Sequence, residues 1–329
     1  MTRSYLVTGG AGFIGSHLVD ALLARGDTVV ALDTLATGRL GNLDAASGHP
    51  NFTFVQGSIL DELVVDDLAH QCDVIVHLAA AVGVKLIVEQ PLKSLTTNIR
   101  GSEIVVEAAH RYRRRLLMAS TSEIYGKSSG LLTEDSDRVL GSNTVARWAY
   151  ATAKSVDEVL AYAYYKERGL PTTVVRLFNT VGPRQSAAYG MVIPRLVRQA
   201  VANEPLTVFG DGQQTRCFCH IGDVVRAALL LLDNDGSIGE VFNVGSHTPI
   251  SIVDLAHRIV ERVGSQAQVT FIAYEDAYEE GFEDMRRGEP STEKLAQLTG
   301  WEPTLGLDQI LDEMIAEARE ELHRAGLQQ

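Results

Sequence analysis

A glycine turn constrains this chain more than any other feature. Thr8-Gly9-Gly10-Ala11-Gly12-Phe13-Ile14-Gly15 follows the apolar run Tyr5-Leu6-Val7 and opens a helix-patterned segment from Gly12 to Arg25. Gly9, Gly12 and Gly15 stand in G-x-x-G-x-x-G spacing. The first glycines allow a tight turn and a close backbone approach to a pyrophosphate at a helix N-terminus, where unpaired N–H groups face the ligand. The third lets the helix pack on a sheet. The next β-branched run, Thr28 to Leu32, ends at Asp33, a carboxylate suited to the hydroxyls of an adenosine ribose and hostile to a 2′-phosphate. The pattern predicts a dinucleotide site with NAD favoured over NADP, and Gly9, Gly12, Phe13, Ile14, Gly15 and Asp33 as its residues.

Strand-like and helix-like segments alternate through the first half. Strands are expected at Ser4–Thr8, Thr28–Leu32, Phe52–Gln56, Val74–Leu78, Arg115–Ser120 and Thr172–Phe178. Helices are expected at Leu63–Gln71, about Leu95–Arg111 and about Ala149–Arg168. Near-continuous apolar strands spaced by helices imply an α/β fold with a doubly wound parallel sheet of Rossmann type. Beyond Gly182-Pro183 the texture is looser, with helices at about Ile193–Asn203, Ile221–Leu232, Ile252–Val263 and Leu307–Leu322. The expected organisation is a dinucleotide-binding domain over residues 1–180, with elements near 221–246 returning to it. Residues 181–329 then form mainly a smaller, interleaved C-terminal substrate lobe.

Composition narrows the function classes. The net charge of −13 argues against phosphate-backbone binding, so no nucleic acid is expected. The basic run His110 to Arg115 reads as a solvated helix end, where cations are favoured. No apolar run approaches the roughly 20 residues that span a bilayer, so no membrane partner is expected and the cytoplasm is the expected address. Cys72, Cys217 and Cys219 are too few for a disulfide framework and fit a reducing compartment. No metal site is expected, because the only other metal-binding residue beside Cys217 and Cys219 is His220.

Tyr150 and Lys154 are four apart on an expected helix and share one face. An ammonium beside the phenol, with the positive charge of a nicotinamide, would lower the tyrosine pKa and make it a base for a hydroxyl proton. A Tyr and a Lys at this spacing occur on many helices by chance. What distinguishes this pair is Ser120-Thr121-Ser122-Glu123 at the end of the preceding strand, where ligands gather in a doubly wound sheet. There Thr121 would bond the same oxygen as Tyr150.

The glycine turn, His77-Leu78-Ala79-Ala80, Asn98, the Tyr-x-x-x-Lys pair and Phe178-Asn179-Thr180 together resemble an extended short-chain dehydrogenase/reductase of the nucleotide-sugar epimerase/dehydratase family. The resemblance runs along essentially the whole chain. It implies tightly held NAD, contacted also by Leu78, Ala79, Ala80, Asn98, Tyr150 and Lys154, and a catalytic triad of Thr121, Tyr150 and Lys154. It also implies a nucleotide-sugar site: Asn179 and Arg184 near the diphosphate, Phe209 at the base, and Arg216 and Arg287 as a diphosphate clamp. A homodimer through the helices near Leu95–Arg111 and Ala149–Arg168 is the expected assembly. Ser58 stands where the family usually has an Asp that contacts adenine.

Hydride removal at sugar C4 leaves a 4-ketone from which several reactions diverge. Reduction on the other face gives the C4 epimer; a C5 carboxylate leaves as CO2; a C5 CH2OH permits loss of water. Glu123, after Thr121 and Ser122, is a carboxylate that simple epimerases of the family usually lack and that uronate decarboxylases and some 4,6-dehydratases have; Arg147 is either a partner for a substrate carboxylate or a solvent-exposed arginine. Arg176 to Arg184 and Gln214-Thr215-Arg216 resemble bacterial uridine-diphosphate-sugar 4-epimerases. The sequence reading therefore puts C4 epimerisation of a UDP-sugar first and nucleotide-glucuronate decarboxylation second. A 4,6-dehydratase and a non-catalytic dinucleotide-binding protein follow.

Overall fold

Seven strands, all parallel, form the frame of the molecule, and their order decides where a ligand can sit. The computed structural model describes residues 2–83, 90–145, 148–187, 191–277, 288–324 and 326. The large sheet comprises β1 (Ser4–Thr8), β2 (Thr28–Asp33), β3 (Phe52–Gln56), β4 (Val74–His77), β5 (Arg115–Thr121), β6 (Thr172–Leu177) and β7 (Glu240–Val244), ordered β7-β6-β5-β4-β1-β2-β3. The chain moves outward from β1 to β3 on one side, then crosses back to place β4 on the other side of β1. The order reverses between β1 and β4, and the crevice beyond their C-terminal ends is where such sheets bind ligands.

The strands read as continuous apolar runs because helices cover both faces. β4 is buried at every position. Side chains alternate between faces with period two. Tyr5 and Val7 join Leu18, Val19 and Leu22 of α1 (Phe13–Ala24) and Val224 and Leu231 of α6 (Ile221–Leu232). Leu6 and Ile75 face the other way, against Val65 and Leu68 of α2 (Glu62–Gln71), Val105 of α3 (Gly101–Arg111) and Ala161 of α4 (Trp148–Arg168). A separate apolar cluster joins α5 (Val192–Val201), α7 (Ile252–Val263) and α8 (Leu307–Arg324) to the strand Leu206–Phe209. That strand pairs in parallel with Val269–Ile272.

Two expectations change in detail. The helix expected from Leu95 becomes regular only at Gly101; Thr96–Arg100 form a wider π turn continuing from a short helix at Pro91–Leu95. The widened turn accommodates Asn98, whose side chain reaches inward to both backbone groups of Ala81. The basic run is more than a solvated helix end. Arg114 donates to the carbonyls of Ala69 and His70 at the end of α2, and Arg115 to those of Leu231 in the last turn of α6 and Asn234 just beyond it. The guanidinium groups thus satisfy terminal carbonyls of neighbouring helices.

A buried ion pair ties the central elements together. Arg176 of β6 binds Glu158 of α4 through two nitrogens, Nε to Oε1 at 3.0 Å and Nη2 to Oε2 at 2.8 Å. Its Nη1 donates to the Tyr125 hydroxyl at 2.8 Å and the Glu134 carbonyl at 2.7 Å. Tyr125 in turn donates to Asn243 Oδ1 of β7 at 2.7 Å. Removing one partner leaves an uncompensated buried charge, so Glu158→Gln is expected to lower unfolding free energy by about 3–5 kcal/mol in urea titration. A Glu158→Leu, Arg176→Met double variant should recover most of that loss; a double variant no more stable than the single would contradict it.

Candidate active site

One cleft of about 850 Å³ opens at the C-terminal edge of the sheet, over the β1/β4 switch. The glycine turn forms its floor. Gly9 has φ +71°, and a Cβ there would stand 2.8 Å from Ala79 N. A Cβ on Gly15 would run into the Gly9 carbonyl oxygen. Gly12 caps α1 without a side-chain hydrogen bond, and the first turn of α1 holds no acidic residue, so its amides face the cleft uncompeted. Asp33, at the end of β2, accepts from Ala11 N at 3.0 Å and Leu35 N at 2.8 Å, which fixes its carboxylate while leaving lone pairs for a ligand in the cleft it lines. A bare helix terminus, a backbone cradle that a side chain would fill and an oriented carboxylate fit a dinucleotide.

Leu78, Ala79 and Ala80 follow β4 and line the cleft. Asn98 is a correction: it lies behind the wall. Its Oδ1 accepts from Ala81 N at 2.8 Å, and its Nδ2 donates to Ala81 O at 3.1 Å. It fixes the loop that lines the cleft because both its polar ends are consumed by backbone. Ser58 lines the cleft as well, its hydroxyl accepting from Leu60 N at 3.1 Å.

Thr121, Ser122 and Glu123 come from the end of β5 and the tight turn after it, and Tyr150 and Lys154 from the first turns of α4; all five line the cleft. Thr121 Oγ1 accepts from Glu123 N at 3.2 Å, so the hydroxyl proton remains available to a ligand oxygen. Tyr150 is 7% and Lys154 2% exposed. Burial raises the Tyr150 phenol above its ordinary range, and the Glu123 and Asp157 carboxylates push the same way. The expected lowering of this pKa is therefore absent from the protein alone. The Lys154 ammonium meets Asp157 Oδ2 at 3.1 Å, which offsets its field at the phenol.

From the chain beyond β6, Asn179, Arg184, Phe209 and Arg216 all line the same cleft. Asn179, at φ +34°, donates to Cys217 O at 3.2 Å. Arg184 pairs with Asp20 at 2.8 Å, and its backbone N–H donates to Glu317 at 2.7 Å. Arg195 lies over the Phe209 ring, 4.4 Å from its centroid. Arg147 and Arg287 lie outside the described residues. Sequence reading missed Tyr274, which lines the cleft and accepts from Gln214 Nε2 at 3.1 Å; no motif surrounds it. Among the described residues no cluster of His, Cys, Asp or Glu suits a metal ion. Cys217 and Cys219 are buried, and burial pushes their thiols up to about 11 and about 12.

Comparison with known proteins adds to this geometry. The NAD dependent epimerase/dehydratase family matches residues 5–245. A UDP-N-acetyl-alpha-D-glucosaminuronate decarboxylase of Bacillus cytotoxicus is 37% identical over 97% of this chain and 99% of its own length. UDP-glucuronic acid decarboxylase 1 of Xenopus tropicalis is 36% identical over 99% of this chain and 75% of its own. The crystal structure of a UDP-glucuronic acid 4-epimerase from Bacillus cereus, in complex with UDP-glucuronic acid and NAD, superposes with a TM-score of 0.88 at 30% identity. The match covers 97% of this chain and 99% of that one.

His77, the last residue of β4, is fully buried between Thr8 Oγ1 at 2.8 Å and Ser102 Oγ at 3.0 Å. Burial and the nearby Lys154 charge lower its pKa to about 3. An unfolded chain takes up this proton below about 6.5 and the folded one does not, so stability falls as pH drops from there toward 3. In the linkage limit the slope is about 1.4 kcal/mol per pH unit. His77→Gln is expected to remove that component, giving a shallower fall in melting temperature between pH 6.5 and 4 than the parent; parallel curves would count against it.

Proposed function

Because the chain belongs to the NAD dependent epimerase/dehydratase family, we propose that it decarboxylates a UDP-linked uronic acid through a transient 4-keto sugar. The observation that carries this reading is the Glu123 carboxylate, lining the cleft and close enough to Tyr150 to raise its pKa. The sequence reading ranks C4 epimerisation first and decarboxylation second; two decarboxylase relatives, each matched over 97% or more of this chain, favour the reverse order.

NAD, held at the glycine turn, Asp33 and Leu78 to Ala80, would supply a hydride acceptor for the sugar C4 hydrogen. The Tyr150 phenol, ionised, takes the proton from the 4-hydroxyl, while the Thr121 hydroxyl bonds the same oxygen. Lys154 holds a positive charge beside the phenol. Oxidation leaves a ketone at C4, and a carboxylate on C5 is then β to a carbonyl. The C5–carboxylate bond breaks, CO2 leaves, the electron pair enters an enolate on the C4 oxygen, and C5 takes up a proton. Tyr150 would give its proton back to the C4 oxygen as C4 is reduced again, completing the pentose. Glu123 brings a carboxylate to the cleft near Tyr150, and a C5 carboxylate bound beside it would be disfavoured relative to departing neutral CO2. Asn179, Arg184 and Arg216 supply donors for the diphosphate, and Phe209 an apolar face for the base.

C4 epimerisation is the second reading, favoured by the likeness to the Bacillus cereus 4-epimerase. It needs the same Thr121, Tyr150 and Lys154 but gives Glu123 no task. A purely dinucleotide-binding role is disfavoured because all three residues line the cleft together.

A homodimer through α3 and α4 is part of the proposal. Val156, Val159 and Tyr162 form an exposed apolar stripe along α4. A cytoplasmic setting fits three free cysteines, and no helix among the described residues is long and apolar enough to cross a membrane.

With UDP-glucuronate and UDP-N-acetylglucosaminuronate, proton NMR is expected to show UDP-pentose signals and one CO2 per turnover; a C4 epimer without CO2 would overturn the decarboxylase reading. Glu123→Ser should cut CO2 release about a hundredfold or more, as loss of a group acting in the transition state does. The dimer is checked by light scattering: Val159→Asp is expected to give the monomer mass, and a variant still running at the parent's dimer mass would remove α4 from the interface.

A further inference from the structure

Lys154 and Asp157 form a pair of charges on the buried face of α4. They are 2% and 1% exposed, one helical turn apart, with Nζ to Oδ2 at 3.1 Å. Packing alone does not ask for a carboxylate here, since the positions one turn away on the same face, Ala153 and Ala161, are buried alanines. Asp157 Oδ1 is buried without a hydrogen-bond partner. A buried, half-satisfied carboxylate is costly to keep and calls for a reason.

The pair has a defined setting. From α3, the Ser102 hydroxyl faces the Asp157 carboxyl and meets His77 Nε2 of β4 at 3.0 Å. His77 Nδ1 meets Thr8 Oγ1 of β1 at 2.8 Å, and that oxygen accepts from Ala79 N at 3.2 Å. A run of side chains, Asp157, Ser102, His77 and Thr8, therefore leads from α4 to the backbone beneath the glycine turn. On α4 itself Glu158 and Tyr150 lie within electrostatic reach of Asp157, and Glu123 acts on Tyr150 from the turn after β5. Burial raises the Asp157 carboxyl, Lys154 and Ser102 oppose the rise, and Glu158 adds to it.

We propose that Asp157 is a positioning residue that anchors the Lys154 ammonium at the cleft wall, and that its charge sets the pH at which Tyr150 can act as the base. The inference rests on the assignment of Tyr150 as base, and holds whether the 4-ketone is decarboxylated or reduced. With Asp157 ionised, the Lys154–Asp157 pair is nearly neutral as seen from Tyr150. Take the negative charge away and the ammonium acts alone, so the phenol ionises at lower pH.

Asp157→Asn keeps the shape and an acceptor for Lys154 but not the charge. Two readouts are compared with the parent: the pH profile of kcat, and proton release on NAD binding, measured by calorimetry in buffers of different ionisation enthalpy. The acid limb of kcat and the midpoint of proton release are both expected to move down by about one pH unit, with the alkaline plateau and NAD affinity within about threefold of the parent. Ser102→Ala, which removes a group favouring ionised Asp157, should move both midpoints the same way by less, and serves if Asp157→Asn fails to fold. Midpoints that stay with the parent's in the folded variant overturn the proposal, even if kcat falls uniformly. Tyr150→Phe separates the two levels: it should abolish proton release and turnover, and a Phe variant retaining both would refute the base assignment itself.

Discussion

The bidentate contact between Arg176 and Glu158 is the constraint on which the rest of the site depends. It joins a sheet strand to the helix that carries Tyr150 and Lys154, and through Tyr125 it reaches the turn that carries Glu123. The reacting side chains come from separate segments and have no direct covalent reason to converge. A planar guanidinium with donors in fixed directions defines the distance and angle between those segments more sharply than apolar contact does. Such buried pairs contribute little net stability, because desolvation consumes most of the Coulomb gain. What this one supplies is register between helix and strand.

The same dry surroundings explain the electrical character of the cleft. Tyr150, Lys154, Asp157 and His77 are all buried within one region, and a low dielectric magnifies each charge on its neighbours. In the protein alone the balance favours a protonated phenol and a neutral imidazole. A cationic ligand ring would tip that balance in the direction the chemistry needs, so cofactor occupancy and base activation are linked by charge.

Much of this was legible in the sequence, for physical reasons that differ by residue. The glycine turn and Asp33 are local: a turn, a helix start and the next strand end lie within one short stretch, so spacing alone reports geometry. The strands of the first half were legible because burial on both faces leaves continuous apolar runs. Thr121 and Tyr150 were legible as a pair only through the rule that parallel strands deliver their C-terminal ends to one crevice. Asn98 was misplaced because an Asn that binds backbone and one that binds ligand look alike in sequence. Tyr274 was invisible because its partner, Gln214, is distant along the chain and the β-pairing between Phe209 and Ile272 that brings them together leaves no local mark. Asp157 was passed over for a simpler reason: a charged residue on a helix is ordinarily solvated, and only the packed structure shows that this one is not. The local motif around Glu123 leaves both leading reactions open, and their order was reversed by overall similarity to decarboxylase relatives, which no single residue reports.

The strand order carries a consequence for how the chain is made. β7 pairs with β6, yet more than sixty residues separate them, and that interval contains α5, α6 and the strand Leu206–Phe209, the first and last of which pack in the separate apolar cluster. During synthesis β6 emerges from the ribosome well before its outer neighbour, and for that time the sheet has an open, apolar edge. The lobe segment must be held aside, or begin to fold, before the sheet can close. Nascent chains halted near residue 180 would expose the edge that the finished protein covers, which makes translation speed through the lobe a matter of solubility as well as yield.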